Sequence, residues 1–333
     1  MDYRSLGKSG LKVSPLSLGT MMFGGATDET ESRRIIDQAR DLGVNFIDTA
    51  DVYNAGISEE ITGRAIAADR ANWVLASKVG SPRSWSHAAN QGLSRKSIFD
   101  ALEGSLRRLG TDYLDLYYLH REDHTTPLEE TISAIGDLIR QGRIRYWGVS
   151  NFRGWRLAEA VNIARRLGVD DPVASQPLYN IVNRQAEPEQ FTAARHYGLG
   201  VVPYSPLARG VLSGKYQTGN QPDAGSRAAR QDKRILETEW RQESLALAQQ
   251  ITAHAQRRGS DPISFAIAWV LANPQISAAI VGPRTLQQWQ SYVGALELRL
   301  DGEDEAFIDS LVTPGHASTH GFNDPAHFVS GRH

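Results

Sequence analysis

The stretch NFIDTADVY, residues 45–53, decides the fold expected for this chain. It begins as a short apolar run and turns polar at Asp48. A buried strand has this pattern when its last residues emerge at the edge of a parallel sheet. Asp48 is therefore predicted at the carboxyl end of a strand, and Tyr53 in the loop just beyond it. In parallel α/β folds, that edge is where chemistry takes place.

Two further apolar runs end on ionisable residues in the same manner. Trp73–Lys78, WVLASK, ends on a lysine, and Tyr113–His120, YLDLYYLH, ends on a histidine. If these strands share one sheet, their carboxyl ends meet at one edge and their last side chains converge. The converging side chains are Asp48, Tyr53, Lys78 and His120. Their chemistry favours a proton-donating site over an ordinary core.

Strand and helix patterns alternate along the rest of the chain. Further strands are predicted at Leu16–Leu18, Tyr146–Ser150, Val173–Gln176, Gly200–Tyr204 and Ala278–Val281. Apolar residues at helical spacing, with capping residues and closing glycines, predict the helices. These are a helix capped by Thr27 or Asp28 and closed by Gly43, then Ser58–Ala68, one between Ser94 and Gly110, Leu128–Gln141, Arg156–Leu167, Glu187–Tyr197, Gln242–Arg258 and Pro262–Ala272.

The resulting order of elements predicts a closed barrel. Eight strands joined by right-handed crossovers form such a barrel, with the helices outside it. The predicted fold is α/β, a single (β/α)8 TIM barrel with an N-terminal β-hairpin, Tyr3–Leu6 with Leu11–Val13, and long loops at the C-terminal rim. No repeat or low-complexity linker divides the chain, so residues 1–333 are predicted to form one domain.

The composition excludes several functional classes. Of 333 residues, 41% are hydrophobic and 22% are charged, which is typical of a globular protein, and the net charge is −2. A balance near zero does not favour nucleic acid or an anionic membrane as a partner. The absence of cysteine excludes disulfides, thiol nucleophiles and cysteine-bound metals. The N-terminus lacks the apolar core of a signal peptide, and no apolar stretch is long enough for a bilayer, so a cytoplasmic location is expected.

The strand ends and their flanking motifs resemble those of the aldo-keto reductase superfamily. The motifs that carry the resemblance are LSLGT, FIDTADVY, LASK, DLYYLH, WGVSNF, SQPLYN, YSPLARGVLSGKY and IVGPRT, in this order. The resemblance covers nearly the whole chain and implies an NAD(P)H-dependent reductase of aldehydes and ketones on an eight-stranded barrel. It also implies that Tyr53 is the general acid, that Lys78 and Asp48 assist it, and that His120 orients the carbonyl.

Elementary chemistry supports these roles independently of the resemblance. A free tyrosine has a pKa near 10, so proton donation at neutral pH gains from a cation that stabilises the phenolate. Lys78 can supply that cation, and Asp48 can hold its ammonium in place. Lowering the tyrosine pKa by about two units corresponds to roughly 2.7 kcal/mol. His120 and Tyr53 can both hydrogen-bond a substrate oxygen that gains negative charge as it accepts hydride.

The resemblance also implies a cofactor site for NADPH, with NADH weaker. Gly19, Thr20 and Asp48 lie at its first strand ends, Ser150, Asn151 and Gln176 match a nicotinamide carboxamide site, and Tyr204 matches the ring that stacks on nicotinamide. Ser205, Leu207 and Gly210 match a loop along the pyrophosphate. Gly282, Arg284, Thr285 and Gln288 match the adenosine 2′-phosphate region. The chain departs from the family at Ser291 and Tyr292, where an acidic residue and an asparagine are common, and stacking of Tyr292 on adenine is one alternative.

Each of these features has a simpler interpretation that the combination outweighs. A lone aspartate before Thr-Ala is most often a cap, and a lone histidine is most often a satisfied core residue. His120 and His124 have the spacing of metal ligands but no HExxH pattern, so no metal site is predicted. Gly198-Leu199-Gly200 begins like a dinucleotide fingerprint, but Pro203 stands where the third glycine belongs. Adjacent carboxylates such as Glu122 and Asp123 are common in exposed loops.

The substrate side and the C-terminus are less determined by the sequence. Met22, Phe23, Trp85 and His87 lie in loops after strands and are candidate walls of a pocket for a small-molecule carbonyl substrate. The tail from Thr313 to His333 is either a frayed terminus or a flap over the substrate, with metal binding a third alternative. A protein of this family can also act as a cofactor-binding regulatory subunit with little turnover. The complete catalytic set favours the enzyme.

Overall fold

The computed structural model of this protein describes residues 1–83, 91–216, 221–222 and 226–325. Trp85 and His87, two of the predicted pocket residues, lie outside the described residues. The strands are β1 Arg4–Ser5, β2 Lys12–Val13, β3 Leu16–Gly19, β4 Phe46–Asp48, β5 Val74–Val79, β6 Leu114–Leu119, β7 Ile144–Ser150, β8 Ala174–Gln176, β9 Gly200–Val201 and β10 Ala279–Val281. β1 and β2 pair antiparallel, as the hairpin prediction requires.

Strands β3 to β10 form one parallel sheet in the order β10-β3-β4-β5-β6-β7-β8-β9. The sheet closes on itself, because Val201 bridges to Ile276 and Tyr204 bridges to Ile280 in parallel register. The amide of Ile280 donates to the carbonyl of Pro203 at 2.9 Å across this seam. The predicted fold class, a (β/α)8 barrel, is confirmed. The carboxyl ends of all eight strands consequently face one end of the barrel.

Helices follow most of the strands. The α-helices are α1 Glu29–Asp41, α2 Ile57–Ile66, α3 Arg95–Leu109, α4 Leu128–Arg140, α5 Gly154–Leu167, α6 Thr192–Tyr197, α7 Lys233–Thr238, α8 Gln242–Arg257, α9 Pro262–Ala272, α10 Leu286–Val293 and α11 Gly302–Leu311. Shorter turns of 3-10 helix occur at Tyr53–Gly56, Ala67–Asn72, Ala208–Ser213 and Gly294–Leu296, and a π-helical turn spans Glu187–Phe191. Asp28 and Ser94 cap α1 and α3 as predicted, since each side chain accepts a backbone N–H of the first turn.

The interior of the barrel explains why the site side chains point where they do. Buried side chains of several strands pack together there, among them Phe46, Ala76, Tyr118 and Ala174. Alternate side chains of a strand face the same side. Two positions further along these four segments stand Asp48, Lys78, His120 and Gln176. The same alternation that fills the core therefore directs these four side chains inward at the carboxyl end of the barrel.

The hairpin lies at the opposite, amino-terminal end of the strands. Leu6 and Val13 are fully buried and belong to the same interior cluster. Ser277 donates its hydroxyl to the carbonyl of Ser5 at 2.9 Å, and Arg4 donates to the carbonyl of Ile276 at 2.9 Å. The hairpin therefore stabilises the end of the barrel away from the predicted chemistry.

Several predicted elements differ from the structure by a few residues at their ends, and proline explains two of the differences. The strand predicted at Gly200–Tyr204 is regular only over Gly200–Val201, because Pro203 has no N–H to continue the ladder. The helix predicted at Glu187–Tyr197 begins as a π-helical turn, and Pro188 cannot donate a helical hydrogen bond. Helix α11 was not predicted, although Asp301 and Asp304 form a capping box at its start.

Contacts between residues group the chain into two compact units. The first consists of Met1–Pro177, Glu189–Tyr204 and Pro274–Gln290, and it contains the hairpin and the whole barrel. The second consists of Leu178–Pro188, Ser205–Asn273 and Ser291–His333. One domain over the whole chain stays a prediction. Among the described residues, every helix is too short or too polar to cross a membrane.

Candidate active site

Asp48, Lys78 and Tyr53 are in direct contact at the carboxyl end of the barrel. The ammonium of Lys78 forms an ion pair with Asp48 Oδ1, and it also donates to the carbonyl of Thr49 at 2.7 Å. Its third contact is the Tyr53 hydroxyl, 3.2 Å away. Lys78 is fully buried, while Tyr53 is partly exposed. A buried cation therefore lies behind a hydroxyl that solvent or a ligand can reach.

The charge of Lys78 is preserved despite its burial. Burial lowers the pKa of Lys78, but Asp48 and Tyr53 raise it by more, and the pKa ends above its usual value. Asp48 is only 2% exposed, and both its oxygens are occupied, Oδ1 by Lys78 and Oδ2 by the Gln176 amide at 2.9 Å. A buried ion pair persists when its remaining hydrogen-bonding positions are satisfied, as they are here.

His120 stands beside Tyr53 as a neutral ring. The two rings meet edge to face, with centroids 6.1 Å apart and planes at 79°. Burial, with the positive charges of Lys78 and Arg121, holds the pKa of His120 well below its usual range. Its Nδ1 atom is buried and has no hydrogen-bond partner among the described residues, although the residue as a whole is partly exposed. At physiological pH the ring is therefore uncharged and can donate one hydrogen bond.

The segment that carries Tyr53 has an unusual backbone. Asn54 and Ala55, which follow Tyr53, both have positive φ, 47° and 56°. This left-handed region is costly for residues with a side chain, by roughly 1–3 kcal/mol each. The Asn54 amide holds the segment by donating to the carbonyls of Met21 at 2.9 Å and Phe23 at 2.7 Å. Strain of this kind persists only where surrounding contacts determine the conformation.

Polar side chains from β7 and β8 form a second group beside the first. The Tyr204 hydroxyl donates to Asn151 Oδ1 at 2.7 Å, and Asn151 Nδ2 donates to the carbonyl of His120 at 3.0 Å. Ser150 donates its hydroxyl to the carbonyl of Gln176 at 2.9 Å. Asn151 has a φ of 58°, so its backbone is left-handed. The structure thus brings together the side chains predicted for the nicotinamide region.

The first and last strands supply glycines at the same end. A Cβ on Gly19 would approach Ile280 Cγ2 to 2.7 Å, so β3 and β10 pack closely there. A Cβ on Gly282 would meet only the carbonyl oxygen of Gly19, at an ordinary 3.6 Å. Packing within the protein therefore does not require glycine at 282, and the exposed backbone there fits close approach by a ligand. The Thr20 hydroxyl is buried and shared with Ser58, at 2.8 Å.

The turn from Gly282 into α10 is held by side chains of the same unit. The Arg284 amide donates to Gln288 Oε1 at 2.8 Å, and its carbonyl accepts from Thr27 at 3.0 Å. The Leu286 amide donates to Glu31 Oε1 at 2.6 Å. Gln288 and Glu31 therefore occupy two backbone donors at the start of α10. The exposed Thr285 and the partly exposed Arg284 side chain remain the groups best suited to a phosphate there.

The predicted pyrophosphate loop belongs to the second unit. Ser205, Ala208 and Arg209 have positive φ, as has Gly210 at 99°. Successive backbone amides in such conformations form concave sites for anions. The Lys215 ammonium lies 2.9 Å from the position a Cβ on Gly210 would take. Lys215 was not predicted from the sequence, although a lysine five residues after a loop glycine was the available signal.

The described substrate-side and C-terminal candidates differ in exposure. Met22 is partly exposed, whereas Phe23 is fully buried. Tyr292 is 8% exposed, so little of its ring remains for stacking on adenine. Residues 313–325 are not frayed. Backbone bonds join Arg184 to His316 and Ser318 to Val182, and Arg234 pairs with Asp324 at 2.6 Å.

Two buried residues near Tyr53 were missed as functional candidates. Asp51 lies two residues before Tyr53 and is fully buried, and Arg83 is 7% exposed. Their charged groups are 3.7 Å apart. Asp51 belongs to the very stretch that decides the fold, and a second acidic residue in NFIDTADVY was the only available signal.

The closed parallel barrel and its site define an oxidoreductase of the TIM-barrel class, and sequence comparisons agree. The model of the Aldo/keto reductase family matches residues 15–313. The chain is 41% identical to Uncharacterized oxidoreductase YrpG of Bacillus subtilis (strain 168), over 91% of this chain and 93% of that protein. It is 38% identical to a probable voltage-gated potassium channel subunit beta of Oryza sativa subsp. japonica, over 90% of this chain and 92% of that protein. It is 37% identical to a putative voltage-gated potassium channel subunit beta of Schizosaccharomyces pombe, over 93% of this chain and 90% of that protein.

The protein belongs to the aldo/keto reductase family. The match and the resemblance noted in the sequence cover nearly the same residues.

Proposed function

We propose that this protein reduces aldehydes or ketones to alcohols with NADPH, and that Tyr53 is the proton donor. The observation that carries the proposal is the contact of the buried Lys78 ammonium with the Tyr53 hydroxyl, at 3.2 Å. A fixed cation beside a phenol stabilises the phenolate that proton donation leaves behind. Nothing in the packing of a barrel requires a buried, charged lysine at this place.

The reduction adds a hydride to the carbonyl carbon and a proton to the carbonyl oxygen. Bound NADPH supplies the hydride. The Tyr53 hydroxyl supplies the proton, and Lys78 stabilises the resulting phenolate while Asp48 holds the ammonium. His120 is neutral because its pKa is low, so it can donate a hydrogen bond to the same oxygen without competing as an acid.

The chain offers groups that fit each part of the cofactor. Asn151, Ser150 and Gln176 supply amide and hydroxyl groups for a carboxamide, and Tyr204 supplies an aromatic face beside them. The left-handed loop at Ser205, Leu207 and Gly210, with Lys215, is suited to the pyrophosphate. Arg284, with Thr285, is suited to the 2′-phosphate, which favours NADPH over NADH.

A steady-state assay of NADPH oxidation with a panel of aromatic and aliphatic aldehydes and ketones tests the proposal. Turnover that depends on both substrates, with alcohol as the product, supports it. Tight NADPH binding without turnover on any carbonyl contradicts it. The small-molecule carbonyl as partner and the cytoplasmic location belong to the same proposal.

The similarity to probable potassium channel beta subunits favours a second candidate function. In that role the protein binds NADPH and acts as a regulatory subunit of another protein, with little turnover. The assay separates the two, because the regulatory role predicts cofactor binding with negligible carbonyl reduction. The complete set of Asp48, Tyr53, Lys78 and His120 favours the enzyme.

A further inference from the structure

A cluster of buried charges lies behind the segment that carries Tyr53. We name it the Asp51 cluster, and its members are Asp51, Glu59, Arg83, Arg108 and Tyr117. Asp51, Glu59 and Tyr117 are fully buried, and Arg83 is 7% exposed. The cluster holds two carboxylates and two guanidiniums, and it lies among α2, α3, β6 and the segment that follows β5.

The two carboxylates of the cluster are bound very differently. Glu59 is satisfied, since Ser77 donates to Oε1 at 2.5 Å and Arg108 donates to Oε2 at 2.7 Å. Asp51 receives no such bond, because neither oxygen has a hydrogen-bond partner at bonding geometry among the described residues. Its nearest cation is the Arg83 guanidinium, 3.7 Å from Oδ2. At Asp51 the attraction of the Arg83 and Arg108 guanidiniums therefore exceeds the contribution of the nearby Val52 amide.

Arg83 is fixed independently of Asp51. Its Nη2 donates to the Ser97 hydroxyl on α3 at 3.2 Å, and its carbonyl accepts from the Gln91 amide at 3.2 Å. Beyond Gln91, the Leu93 amide donates to Asp123 Oδ2 at 2.8 Å. Arg83 is thus a fixed cation. It attracts Asp51 and, with Asp51, the backbone that carries Tyr53.

The ionisation of Asp51 responds to pH near neutrality. Burial and the nearby Glu59 raise the pKa of Asp51 to about 7, and the Arg83 and Arg108 guanidiniums and the Val52 amide offset this only in part. Within the part of the chain that the structure describes, the charged and titratable groups that face Asp51 are Glu59 from α2, Arg83 after β5, Arg108 from α3 and Tyr117 from β6. Burial, Asp51 and Glu59 raise the pKa of Tyr117 well above its usual value, so Tyr117 stays neutral.

We propose that ionised Asp51 is a positioning residue for Tyr53, which it holds in place through its attraction to Arg83. The left-handed backbone at Asn54 and Ala55 needs such a restraint on the other side of Tyr53. Loss of the Asp51 charge removes the attraction, and the Tyr53 hydroxyl then departs from its contact with Lys78. The inference rests on the proposed role of Tyr53, and it goes beyond that role by naming what places Tyr53.

The proposal makes opposite predictions for stability and for turnover. Because the pKa of Asp51 is raised on folding, its ionisation disfavours the folded state. The contribution of Asp51 to stability is therefore greatest below its unfolded pKa, declines as the pH rises, and is fully lost above about pH 7. Turnover should instead rise as the pH rises through the pKa of Asp51, since the ionised form positions Tyr53. If Asp51 had only a structural role, its ionisation would change stability and turnover in the same direction.

The test compares wild type with Asp51→Asn, which keeps the shape and removes the charge. We expect kcat for carbonyl reduction to fall between about 10- and 100-fold, as for a small displacement of a reacting group, with the Kd for NADPH unchanged. The acidic fall of the wild-type pH profile near pH 7 should disappear in the variant. The unfolding temperature at pH 8 should rise, and its dependence on pH between 4 and 7 should weaken.

Two further single variants and one double variant complete the experiment. Glu305 lies on α11, beside Trp269 of α9, and is another partly buried carboxylate with a raised pKa. Glu305→Gln removes its charge and should leave kcat and its pH profile unchanged. Arg83→Gln should lower kcat as Asp51→Asn does, and the double variant should be no worse than either single one, because both remove one attraction. Additive losses, or an Asp51→Asn enzyme with wild-type kcat and pH profile, would overturn the proposal.

A readout without turnover separates this proposal from the proposed function. Ultraviolet difference titration against Tyr53→Phe isolates the ionisation of Tyr53 among the 11 tyrosines of the chain. Asp51→Asn should raise the Tyr53 pKa as the Lys78 contact is lost, even if wild type reduces no carbonyl. An unchanged Tyr53 titration in folded Asp51→Asn and Arg83→Gln proteins overturns the positioning role alone.

Discussion

Gln176 donates its side-chain amide to Asp48 Oδ2 at 2.9 Å, which joins β8 to β4 across the interior of the barrel. The two strands are not neighbours in the sheet, and the two residues are 128 positions apart in the chain. This bond gives a hydrogen-bond donor to the second oxygen of the buried Asp48 carboxylate, whose first oxygen binds Lys78. The orientation of the Asp48–Lys78 ion pair thus depends on a strand from the far side of the barrel.

The Gln176 bond can be removed with little change in volume. We expect Gln176→Met to lower the free energy of unfolding by about 1.5–3 kcal/mol, as for a hydrogen bond to a charged group. Urea unfolding of both proteins measures the difference. Gln141→Met, at an exposed glutamine that follows α4, is the control and should change stability by less than about 0.5 kcal/mol. Equal effects of the two substitutions would show that Asp48 does not need its second donor.

Removal of the Tyr53 hydroxyl tests the proton donor. Tyr53→Phe should abolish nearly all carbonyl reduction while the Kd for NADPH stays close to that of wild type, because the ring remains and only the proton is lost. Steady-state kinetics and a fluorescence titration of NADPH provide the two measurements. Tyr113→Phe removes a hydroxyl outside the site and serves as the control. Turnover within a few-fold of wild type in Tyr53→Phe would refute the assignment.

Replacement of Lys78 by methionine separates its charge from its packing. The change keeps most of the volume but leaves Asp48 without its cation, so stability should fall by about 3–5 kcal/mol. The phenolate of Tyr53 also loses its cation, which raises the tyrosine pKa. Carbonyl reduction should become far slower, and alcohol oxidation, in which Tyr53 acts as the base, should shift to higher pH.

The measurement for Lys78→Met is a pH–rate profile of alcohol oxidation, recorded below the unfolding temperature of the variant and with folding checked by circular dichroism. Wild-type Lys78 stays protonated throughout the accessible range, because its pKa is raised above the usual value of about 10.4. A change in the profile therefore reports Tyr53. The same apparent pKa in wild type and in a folded, NADPH-binding variant would contradict the tuning of Tyr53 by Lys78.

Arg284 should decide between the two nicotinamide cofactors. Arg284→Ala should weaken NADPH binding by about 1.5–3 kcal/mol, because its guanidinium pairs with the 2′-phosphate, and should scarcely affect NADH, which lacks that group. Titration of NADPH and NADH into wild type and into Arg284→Ala gives the four dissociation constants. Arg299→Ala removes an exposed positive charge that donates to the backbone carbonyls of Leu296 and Leu298, and it is the control. Equal losses for NADPH and NADH in Arg284→Ala would exclude the phosphate role.

Sequence patterns were sufficient for the architecture and for the set of side chains that meet at the carboxyl end of the barrel. Apolar runs that end on Asp48, Lys78 and His120 predict strands with chemistry at their carboxyl ends, because alternation within a strand makes the direction of each side chain a local property. Barrel closure follows from the count of eight strands, and the structure confirms it at the seam between Tyr204 and Ile280. Asp28, Ser94 and the closing glycines gave the helix limits by local capping.

Other features depended on contacts that no local pattern contains. The bond between Gln176 and Asp48, and the raised pKa of Asp51 beside Glu59 and Arg83, arise from segments distant in the chain that meet only after folding. The charge of a buried group depends on its burial and on its neighbours, and both are properties of the packed protein. The sequence by itself thus determined which ionisable residues stand at the strand ends. Only the tertiary structure decided which of them are paired, which are neutral, and that Asp51 is buried opposite Arg83.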